Sequence, residues 1–494
     1  MYSTQEQSTT APATDELRVA LTLPAPDGGA GPTKRAFPLS ASTLHAIRPD
    51  PAAVIRAVNE LTKRGFRVST QGRLSVSLRA KRANFEHTFG TQLQEFSVAS
   101  AGAQLSSVLF PPDNAPWAPD PAVAALIDDC YIQWPHIYMS NRFAGPPAEA
   151  PTPPLGNAAD FHLGLADVVM LLNADKAHRA GTTGKGVRVA MVDTGFSHSH
   201  AYFAERGYNV ETILAPGAKF KEQDGNGHGT GESANLLAIA PDVTFIGVKL
   251  ESEDGSPGAS MLEGIQEALK HRPQVLSLSL GYDLCSRVTN QPFAVIPNNL
   301  KALEAEIQAA VAAGVIVVFS AGNGHVSFPG MMPEVLSAGG VHIAGDGRMQ
   351  ASNYASAFRS LPYPTRHVPD VCGLVGMQPH APYIMLPVPR GCKIDRENAV
   401  FDGTTANDGW AAFSGTSAAA PQLAGVCALL LQKNPGLTAD DIRAILRLTA
   451  RDVQNGAANP ASNVPNPAGM LAGPGIDDAT GAGLVDAFAA WQQA

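Results

Sequence analysis

Short apolar runs alternate with helical segments between residues 187 and 320, and this pattern limits the fold more than any other feature. The apolar runs are typical of strands and lie at Val187–Asp193, Val243–Leu250, Val275–Leu280 and Val315–Ser320. Helical periodicity fills the intervals at Gly231–Ile239, Ala259–Lys270 and Leu300–Ala313. Continuous apolar strands separated by helices indicate an α/β fold, with a mostly parallel sheet covered by helices on both faces. Functional side chains are expected at the carboxyl ends of these strands.

The first 140 residues follow a different pattern, which predicts a small α+β domain. Strand, helix, strand, strand and helix follow one another at Leu17–Leu23, Pro51–Arg64, Phe66–Ser69, Leu74–Leu78 and Arg82–Phe89. That order is typical of a split βαβ unit of the ferredoxin-like kind. Residues 144–156 carry five prolines, which indicates an extended linker. We therefore predict a polar tail at 1–15, an α+β domain at 16–140, a Pro-rich linker at 141–159 and an α/β domain at 160–494.

Charge and cysteine content narrow the functional classes. A formal net charge of -9 over 494 residues argues against nucleic acid or an anionic membrane as the main partner. The longest nearly apolar run, Ala309–Phe319, is too short to span a bilayer. The five cysteines have no CxxC spacing, so we expect free buried thiols, with a Cys372–Cys392 pair as the alternative. Because the first residues show no secretory signal pattern, we predict a cytoplasmic protein, or one exported without a recognisable signal peptide.

A nearly charge-free helix is predicted from Ala418 onward, within Phe413–Leu431. Ser417 comes just before it in a Gly/Ser-rich turn, where free N–H groups and the positive end of the helix dipole can stabilise an anion. Pro421 is expected in the first helical turn, where its missing N–H costs little. Ser417 is therefore a candidate nucleophile, and an ordinary N-cap serine is the alternative interpretation.

Three further polar residues lie where the predicted strands meet loops. Asp193 ends the first strand, His228 lies in a Gly-rich loop before a helix, and Asn323 follows the last strand. A neutral imidazole can take the proton of a serine hydroxyl, and a carboxylate behind the imidazole fixes its tautomer. An asparagine amide can donate a hydrogen bond to the oxyanion of a tetrahedral intermediate. Together with Ser417, these residues predict acyl transfer at the edge of the sheet.

Four sequence blocks surround these residues. They are Asp193-Thr194-Gly195, His228-Gly229-Thr230, Ala321-Gly322-Asn323 and Ser414-Gly415-Thr416-Ser417-Ala418-Ala419-Ala420-Pro421. The blocks resemble the signature motifs of the subtilisin-like serine peptidases, and the likeness extends from about residue 160 to the C-terminus. The resemblance implies a serine endopeptidase that works through an acyl-enzyme intermediate. Its catalytic triad would be Asp193, His228 and Ser417, and Asn323 would belong to the oxyanion hole.

The same resemblance implies a substrate cleft. Ser279, Leu280 and Gly281 match the strand that lies beside the side chain preceding the cleaved bond in this family. Gly255 and Gly258 resemble the opposite rim. A peptide or protein substrate would then bind between the two as an extended strand, held mainly by backbone hydrogen bonds.

Two alternative functions stay open at this point. The related sedolisins use a Glu, an Asp and a Ser, and Glu232 lies one helical turn after His228. However, the residue four positions after Glu232 is Leu236, and the oxyanion position holds Asn323 rather than Asp. Glu232 is therefore interpreted as a helix-terminal residue or a neighbour of the site, with a sedolisin-like acid peptidase as the runner-up. The other alternative is a catalytically silent pseudo-protease that binds extended peptides.

No cofactor is predicted for the reaction. Asp402, Asn407 and Asp408 have side chains that can bind calcium, but we interpret this stretch as a solvated turn. The surrounding segment, Phe358–Thr405, is rich in proline and has little periodicity. We expect it to hold an insertion that shapes the rim of the site.

The N-terminal 140 residues resemble the pro-domains of this family and of the sedolisins, above all at Phe85–Thr91. An unrelated accessory domain is the alternative interpretation. The resemblance implies a self-inhibited zymogen, whose own N-terminal domain is the inhibitor. Its terminal segment, Tyr131–Ser140, would then occupy the cleft as an extended strand.

Overall fold

The computed structural model describes residues 16–34, 44, 46–96, 99–100, 103–104, 108–112, 115–138, 162–285, 291–378, 381–460 and 469–494. The chain forms two compact units. The smaller unit comprises the chain up to Ile137 together with Asn298–Glu306, and the larger comprises Tyr138–Pro297 and Ile307–Ala494. The predicted polar tail and Pro-rich linker lie outside the described residues.

The smaller unit contains an antiparallel sheet. Its strands are β1 (Glu16–Thr22), β2 (Arg67–Gln71), β3 (Ser75–Lys81), β4 (Gln94–Phe96), β5 (Ala99–Ser100), β6 (Ala103–Gln104), β7 (Val108–Phe110) and β8 (Asp129–Ile132). Its helices are α1 (Pro51–Lys63), α2 (Arg82–Phe89) and α3 (Pro121–Ala124). The main sheet has the order β2-β3-β1-β8, and β4–β7 and β5–β6 form two separate pairs. The succession β1-α1-β2-β3-α2-β8 with this sheet order is the split βαβ arrangement expected from the sequence.

Local sequence explains these elements. Pro51 is the first residue of α1, where its missing N–H is not needed, and the Asp50 side chain accepts from the N–H of Ala52 (3.2 Å). Helix α2 ends at Gly90, whose φ of 55° lies in the left-handed region that favours glycine. The aromatic rings of Phe85 and Phe89 lie 4.7 Å apart in the core of the unit. The apolar face of the sheet therefore packs on the helices.

The larger unit contains most of the regular structure. Its helices are α4 (Leu165–Leu171), α5 (Ala174–Arg179), α6 (Ala201–Arg206), α7 (His228–Ile239), α8 (Met261–Lys270), α9 (Asn298–Ala312), α10 (Lys393–Asn398), α11 (Thr416–Lys433), α12 (Ala439–Thr449) and α13 (Ala487–Gln493). The first nine residues of α9, Asn298–Glu306, are counted with the smaller unit, and so is Ile137, the first residue of the strand β9 (Ile137–Tyr138). Its strands are β9 (Ile137–Tyr138), β10 (Arg188–Asp193), β11 (Val210–Leu214), β12 (Thr244–Lys249), β13 (Val275–Leu278), β14 (Leu280–Asp283), β15 (Ile316–Ser320), β16 (Ser327–Phe328), β17 (Leu336–Ile343), β18 (Met349–Ala351), β19 (Ser356–Arg359), β20 (His367–Val368), β21 (Val371–Leu374), β22 (Ile384–Pro387), β23 (Trp410–Phe413), β24 (Ala457–Pro460) and β25 (Met470–Leu471).

The main sheet has eight strands in the order β11-β12-β10-β13-β15-β17-β18, with β21 also paired to β17. All pairings are parallel except that of β18 with β17. Strand β10 lies between β12 and β13, so that Asp193 pairs with Lys249 and Val192 with Leu278. The prediction of a mostly parallel α/β sheet is confirmed. Its carboxyl edge brings together the loops that follow β10, β12, β13 and β15.

Helix α11 runs through the core of the larger unit. It packs against α7 and against β13, β15, β17 and β21, and every residue from Thr416 to Leu431 is buried. Its one buried side-chain amide, on Gln422, accepts from the N–H of Leu374 (2.7 Å) and donates to the carbonyl of the same residue (3.1 Å). The amide thus extends the hydrogen bonding of β21, because a buried polar group must be paired.

Glu306 is fully buried and holds the turn between β2 and β3 within the smaller unit. Its Oε1 accepts from the N–H of Leu74 (2.9 Å), the N–H of Ser75 (2.8 Å) and the hydroxyl of Ser75 (2.8 Å). Its Oε2 accepts from the N–H of Arg73 (3.0 Å). A Cβ at Gly72 would lie 2.2 Å from Oε1, so the carboxylate fits only against a glycine.

The structure narrows one sequence interpretation and resolves another. The stretch expected to hold an insertion, Phe358–Thr405, also contains β21, a strand of the main sheet, so part of it belongs to the fold itself. All five cysteines are free and buried, which confirms the free-thiol prediction and excludes the Cys372–Cys392 pair. Among the described residues, the helices are all too short or too polar to cross a membrane.

Candidate active site

Asp193 and His228 form a buried hydrogen-bonded pair at the carboxyl edge of the main sheet. Asp193 is the last residue of β10 and His228 is the first residue of α7. Nδ1 of His228 lies 2.8 Å from Oδ1 of Asp193, which also accepts from the N–H of Thr194 (2.7 Å). With Nδ1 donating to the carboxylate, Nε2 of the neutral imidazole is the atom that can accept a proton.

Asp224 shapes the loop that presents His228, and the sequence did not single it out. Its Oδ1 accepts from the N–H of Gly227 and the hydroxyl of Thr194, both at 2.9 Å. Its Oδ2 accepts from the N–H (2.9 Å) and the hydroxyl (2.7 Å) of Thr230. Burial raises the pKa of this carboxyl. The signal available in the sequence was an acidic residue at the start of the Gly-rich stretch. Its four hydrogen-bond donors come together only when the loop is folded, so the sequence alone could not identify them.

The charges near His228 alter its protonation. Burial alone would lower the pKa of the imidazole, but the charge and hydrogen bond of Asp193, with the charges of Glu232 and Asp224, raise it from 6.5 to about 9. Burial raises the pKa of Glu232 to about 7, although the charge of His228 and a hydrogen bond from Asn235 both act to lower it. Glu232 lies in the second turn of α7 and is fully buried, so it is a neighbour of the site and not an exposed helix-terminal residue.

Ser417 is the second residue of α11, two positions further into the helix than expected. Pro421 consequently lies in the second turn, where its missing N–H leaves the carbonyl of Ser417 without a partner in the helix. The hydroxyl of Ser279 donates to that carbonyl (2.9 Å), and the hydroxyl of Ser417 points back to the carbonyl of Ser279 (3.5 Å). The sequence placed Ser279 at the substrate cleft but missed this contact with the nucleophile candidate.

The helices that begin near His228 and Ser417 pack on each other. A Cβ at Gly425 of α11 would lie 2.7 Å from the side chain of Ile239 of α7, so the close approach of the helices requires glycine there. The ring centroid of Phe413, just before α11, lies 6.3 Å from that of His228. The structure therefore brings the two candidate residues to one region of the larger unit.

Asn323 is held by the first residue of α11. Its Oδ1 accepts from the N–H (2.9 Å) and the hydroxyl (3.2 Å) of Thr416, and the N–H of Gly322 donates to the same hydroxyl (3.0 Å). These bonds fix which end of the amide is the carbonyl, so the NH₂ end faces the other way. Tyr354 supports the same turn, because its hydroxyl accepts from the N–H of Gly415 (3.1 Å). No sequence pattern indicated a role for Tyr354.

The residues predicted to bind substrate lie on either side of β10. Ser279 separates β13 from β14, and Leu280 and Gly281 belong to β14, which pairs with β16. Gly255 and Gly258 lie in the loop after β12, and a Cβ at Gly258 would meet the carbonyl of Leu250 at 2.1 Å. Substrate binding by these five residues stays a prediction.

The acidic stretch considered for calcium forms a hydrogen-bonded turn. Asp402 accepts from the N–H groups of Thr404 and Ala412, both at 2.9 Å, and Asp408 accepts from the N–H of Thr405 (2.8 Å). Asp402 is fully buried, so the turn is less solvated than expected. In the described part of the chain, no group of three or more His, Cys, Asp or Glu residues is arranged to hold a metal ion.

Comparison with known proteins identifies the class that this fold and site define. Residues 184–483 match the profile of the subtilase family, Peptidase_S8, and the chain belongs to that family. It is 30% identical over 297 residues to alkaline elastase YaB of Bacillus sp. (strain YaB), an alignment that covers 58% of this chain and 64% of that protein. It is 27% identical over 301 residues to subtilisin E of Bacillus subtilis (strain 168), covering 58% and 65%. The chain thus spans just under two thirds of the length of these relatives.

A solved structure supports the fold. The crystal structure of fervidolysin from Fervidobacterium pennivorans, described as a keratinolytic enzyme related to subtilisin, is similar with a TM-score of 0.56. The likeness covers 98% of this chain and 62% of fervidolysin at 17% sequence identity, so it bears on architecture alone.

Proposed function

We propose that the protein is a serine endopeptidase that hydrolyses peptide bonds through an acyl-enzyme intermediate. In this mechanism the hydroxyl of Ser417 attacks the carbonyl carbon of the substrate while Nε2 of His228 takes its proton. Asp193 holds the imidazole in the required tautomer and stabilises the imidazolium. The amide of Asn323 and the N–H of Ser417 donate to the oxyanion. His228 then returns the proton to the leaving amine, and water hydrolyses the acyl-enzyme.

One observation carries this proposal: the 2.8 Å hydrogen bond between His228 and Asp193, both buried where the parallel strands end. Membership of the subtilase family supports the same assignment. The position of Ser417 adds to it, because the first turn of a helix leaves N–H groups without helical acceptors. Peptides and proteins bound as extended strands between residues 279–281 and 255–258 are the proposed substrates.

The cheapest test uses a fluorophosphonate probe on the native protein after it has had time to process. The probe should label Ser417, and the Ser417→Ala variant should neither take up label nor hydrolyse casein. Full hydrolysis by Ser417→Ala would exclude the nucleophile assignment. A protein that binds peptide libraries with measurable affinity but yields no products would instead be a pseudo-protease.

The pH dependence separates this mechanism from a sedolisin-like acid peptidase. An unperturbed histidine base would lose activity near pH 6–7, but the acidic groups around His228 raise its pKa to about 9. Protonated His228 cannot act as the base, so kcat/KM should rise with pH through about 9. An optimum at strongly acidic pH would contradict the proposal.

We also propose that the N-terminal region inhibits the enzyme until it is cleaved. Strand β9, which contains Tyr138, lies beside β14 in a three-stranded sheet of order β16-β14-β9. Strand β14 contains the predicted substrate-binding residues Leu280 and Gly281, so a chain segment in this position would block an extended substrate. A tethered inhibitor acts at an effective concentration on the order of millimolar, and cleavage within the linker at 141–159 removes that advantage.

Self-inhibition makes two predictions about the full chain. The wild type should be processed into two pieces between residues 140 and 160, while Ser417→Ala stays one chain of 494 residues. The N-terminal piece recovered from processing should inhibit the mature piece when it is added back. Clipping of pure Ser417→Ala at the same bond would exclude self-processing, and unchanged activity after add-back would exclude inhibition.

A further inference from the structure

Three buried carboxylates surround His228, and they differ in how well they are paired. Asp224 accepts four hydrogen bonds, and Oδ1 of Asp193 accepts two. Glu232 accepts one, from Nδ2 of Asn235 (2.8 Å) to its Oε2. Among the described residues, Oε1 of Glu232, Oδ2 of Asp193 and Oδ1 of Asn235 are buried without a hydrogen-bond partner. Such acceptors are costly to bury, so their presence here needs a reason.

Glu232 occupies a position from which it can act on His228. The two residues are four positions apart on α7, so their side chains lie on the same face of the helix, and both are fully buried. Helix α7 packs against β10, which ends at Asp193. A buried carboxylate with an unpaired oxygen either binds a proton or needs a nearby cation, and His228 can supply that cation as imidazolium. Each of the two groups therefore favours the charged form of the other.

We propose that Glu232 is a positioning residue that sets the proton affinity of the catalytic base, acting as a further carboxylate beside His228. The proposal rests on the proposed function. During turnover the proton of Ser417 passes to Nε2 of His228 and then to the leaving amine, and Glu232 exchanges no proton with the substrate. Its ionised form stabilises the imidazolium of the resting enzyme. The cost is that a higher pH is needed to obtain the free base.

Two other carboxylates act on this pair. Asp193 faces it from β10 and Asp224 from the loop before α7, and both raise the pKa of His228. Of the other elements packed against α7, helix α11 has its one formal charge, Lys433, at the far end, and β22 has none. Helix α4 contains Asp167, whose carboxylate accepts from the N–H of Gly164 (2.7 Å).

Ser233, the residue after Glu232 on α7, brings no further charge to Glu232 and His228. The Nε2 atom of His198 lies 3.1 Å from the hydroxyl of Ser233, next to Glu232. Burial lowers the pKa of His198 to about 4, so this imidazole is neutral over the range in which His228 titrates. Removing the charge of Glu232 should therefore act on His228 directly.

The test is the pH profile of kcat/KM for Glu232→Gln in the full chain. Loss of a negative neighbour destabilises the imidazolium, so the midpoint of the acid limb should move to lower pH by about one unit, a tenfold change in proton affinity. Glu232→Asp keeps the charge and should restore a midpoint close to that of the wild type. If the midpoint of the acid limb stays in place while kcat/KM falls by the same factor at every pH, the proposal is overturned, since a merely structural role predicts that result.

A second measurement does not depend on activity or on the Gln variant. In the Ser417→Ala background, the downfield proton signal of the His228 Nδ1–H bonded to Asp193 reports protonation of the imidazole by NMR. Asn235→Ala removes the hydrogen bond to Oε2 of Glu232 and therefore favours the protonated, neutral form of Glu232. With less negative charge beside the imidazole, the midpoint of the His228 titration should move to lower pH. An unchanged midpoint in Asn235→Ala would exclude the proposal even if the wild type proves to be a silent peptide binder. Failure of the fluorophosphonate test alone would exclude only the proposed function.

Discussion

Replacing Glu306 should selectively destabilise the smaller unit. The carboxylate accepts three backbone N–H groups and one hydroxyl, from Arg73, Leu74 and Ser75, at 2.8–3.0 Å. A buried donor left without its acceptor costs about 1–3 kcal/mol. Water can enter the space that Glu306→Ala vacates and satisfy part of this loss. If about two of the four donors stay unpaired, we expect the free energy of unfolding to fall by roughly 3–5 kcal/mol, within the range for two such losses.

Glu306→Gln provides a graded comparison. The amide keeps an oxygen that can retain the bonds to Leu74 and Ser75, but its NH₂ group then meets the N–H of Arg73. Because two donors then face each other, one hydrogen bond is lost. This variant should therefore lower the free energy of unfolding by about 1–3 kcal/mol. Glu267→Ala on α8 is a matched control, because within the described part of the chain Glu267 forms ion pairs with its neighbours Lys270 and His271. Its cost should stay within about 1 kcal/mol.

Tryptophan fluorescence can follow the smaller unit alone. Trp117, which stacks on Phe89 at 4.8 Å, and Trp134 belong to the smaller unit, whereas Trp410 and Trp491 belong to the larger unit. In a Trp410→Phe, Trp491→Phe, Ser417→Ala background, urea unfolding should therefore report the smaller unit. With a slope of about 1.5 kcal/mol per molar urea, Glu306→Ala should lower the midpoint by roughly 2–3 M. A midpoint equal to that of the Glu267→Ala control would refute the reasoning.

Three other outcomes follow from the site. Ser279→Ala removes the hydroxyl that donates a hydrogen bond to the carbonyl of Ser417. In a peptide-hydrolysis assay, kcat should therefore fall by about tenfold. An unchanged kcat would show that this hydrogen bond does not position the nucleophile. Asp224→Ala leaves four hydrogen-bond donors around the loop before His228 unpaired. Urea titration should therefore show a loss of about 3 kcal/mol or more in the free energy of unfolding. A loss below about 1 kcal/mol would contradict this role of Asp224. Because the folded chain raises the pKa of His228 to about 9, the stability that protonated His228 contributes with Asp193 is complete below pH 6.5 and is lost as the pH rises through about 9. The stability difference between the parent and His228→Ala should therefore shrink over that interval, and a difference that grows with pH would reverse the sign of the argument.

Much of the larger unit could be predicted because its strands are continuously apolar and its helices periodic. The predicted ends of β10 and β15 differ from the structure by one residue at most, which is why Asp193 and Asn323 were found at strand ends. Helix starts were less accurate, since α7 begins at His228, three residues before the predicted Gly231. A Gly-rich segment carries no helical periodicity, so only its tertiary contacts reveal that it is helical.

The residues that the sequence analysis missed act over long separations in the chain. Tyr354 contacts a turn 61 residues later, and Asp224 has its effect only when the loop closes on Thr194 and Thr230. Strand β21 is four residues long and lies within the proline-rich stretch that was expected to hold an insertion, so it was not predicted. Local periodicity cannot report such contacts, because they depend on which strand ends meet in space.

Pro421 has a consequence for protein engineering. The first turn of α11 is not stabilised by an unbroken helix, since the carbonyl of Ser417 bonds to Ser279 instead of to an N–H one turn later. Thr416 and Gly415 are held in turn by Asn323 and Tyr354. Transplanting the helix into another scaffold would thus carry the serine without the groups that orient it, and a successful graft must move all three supports together.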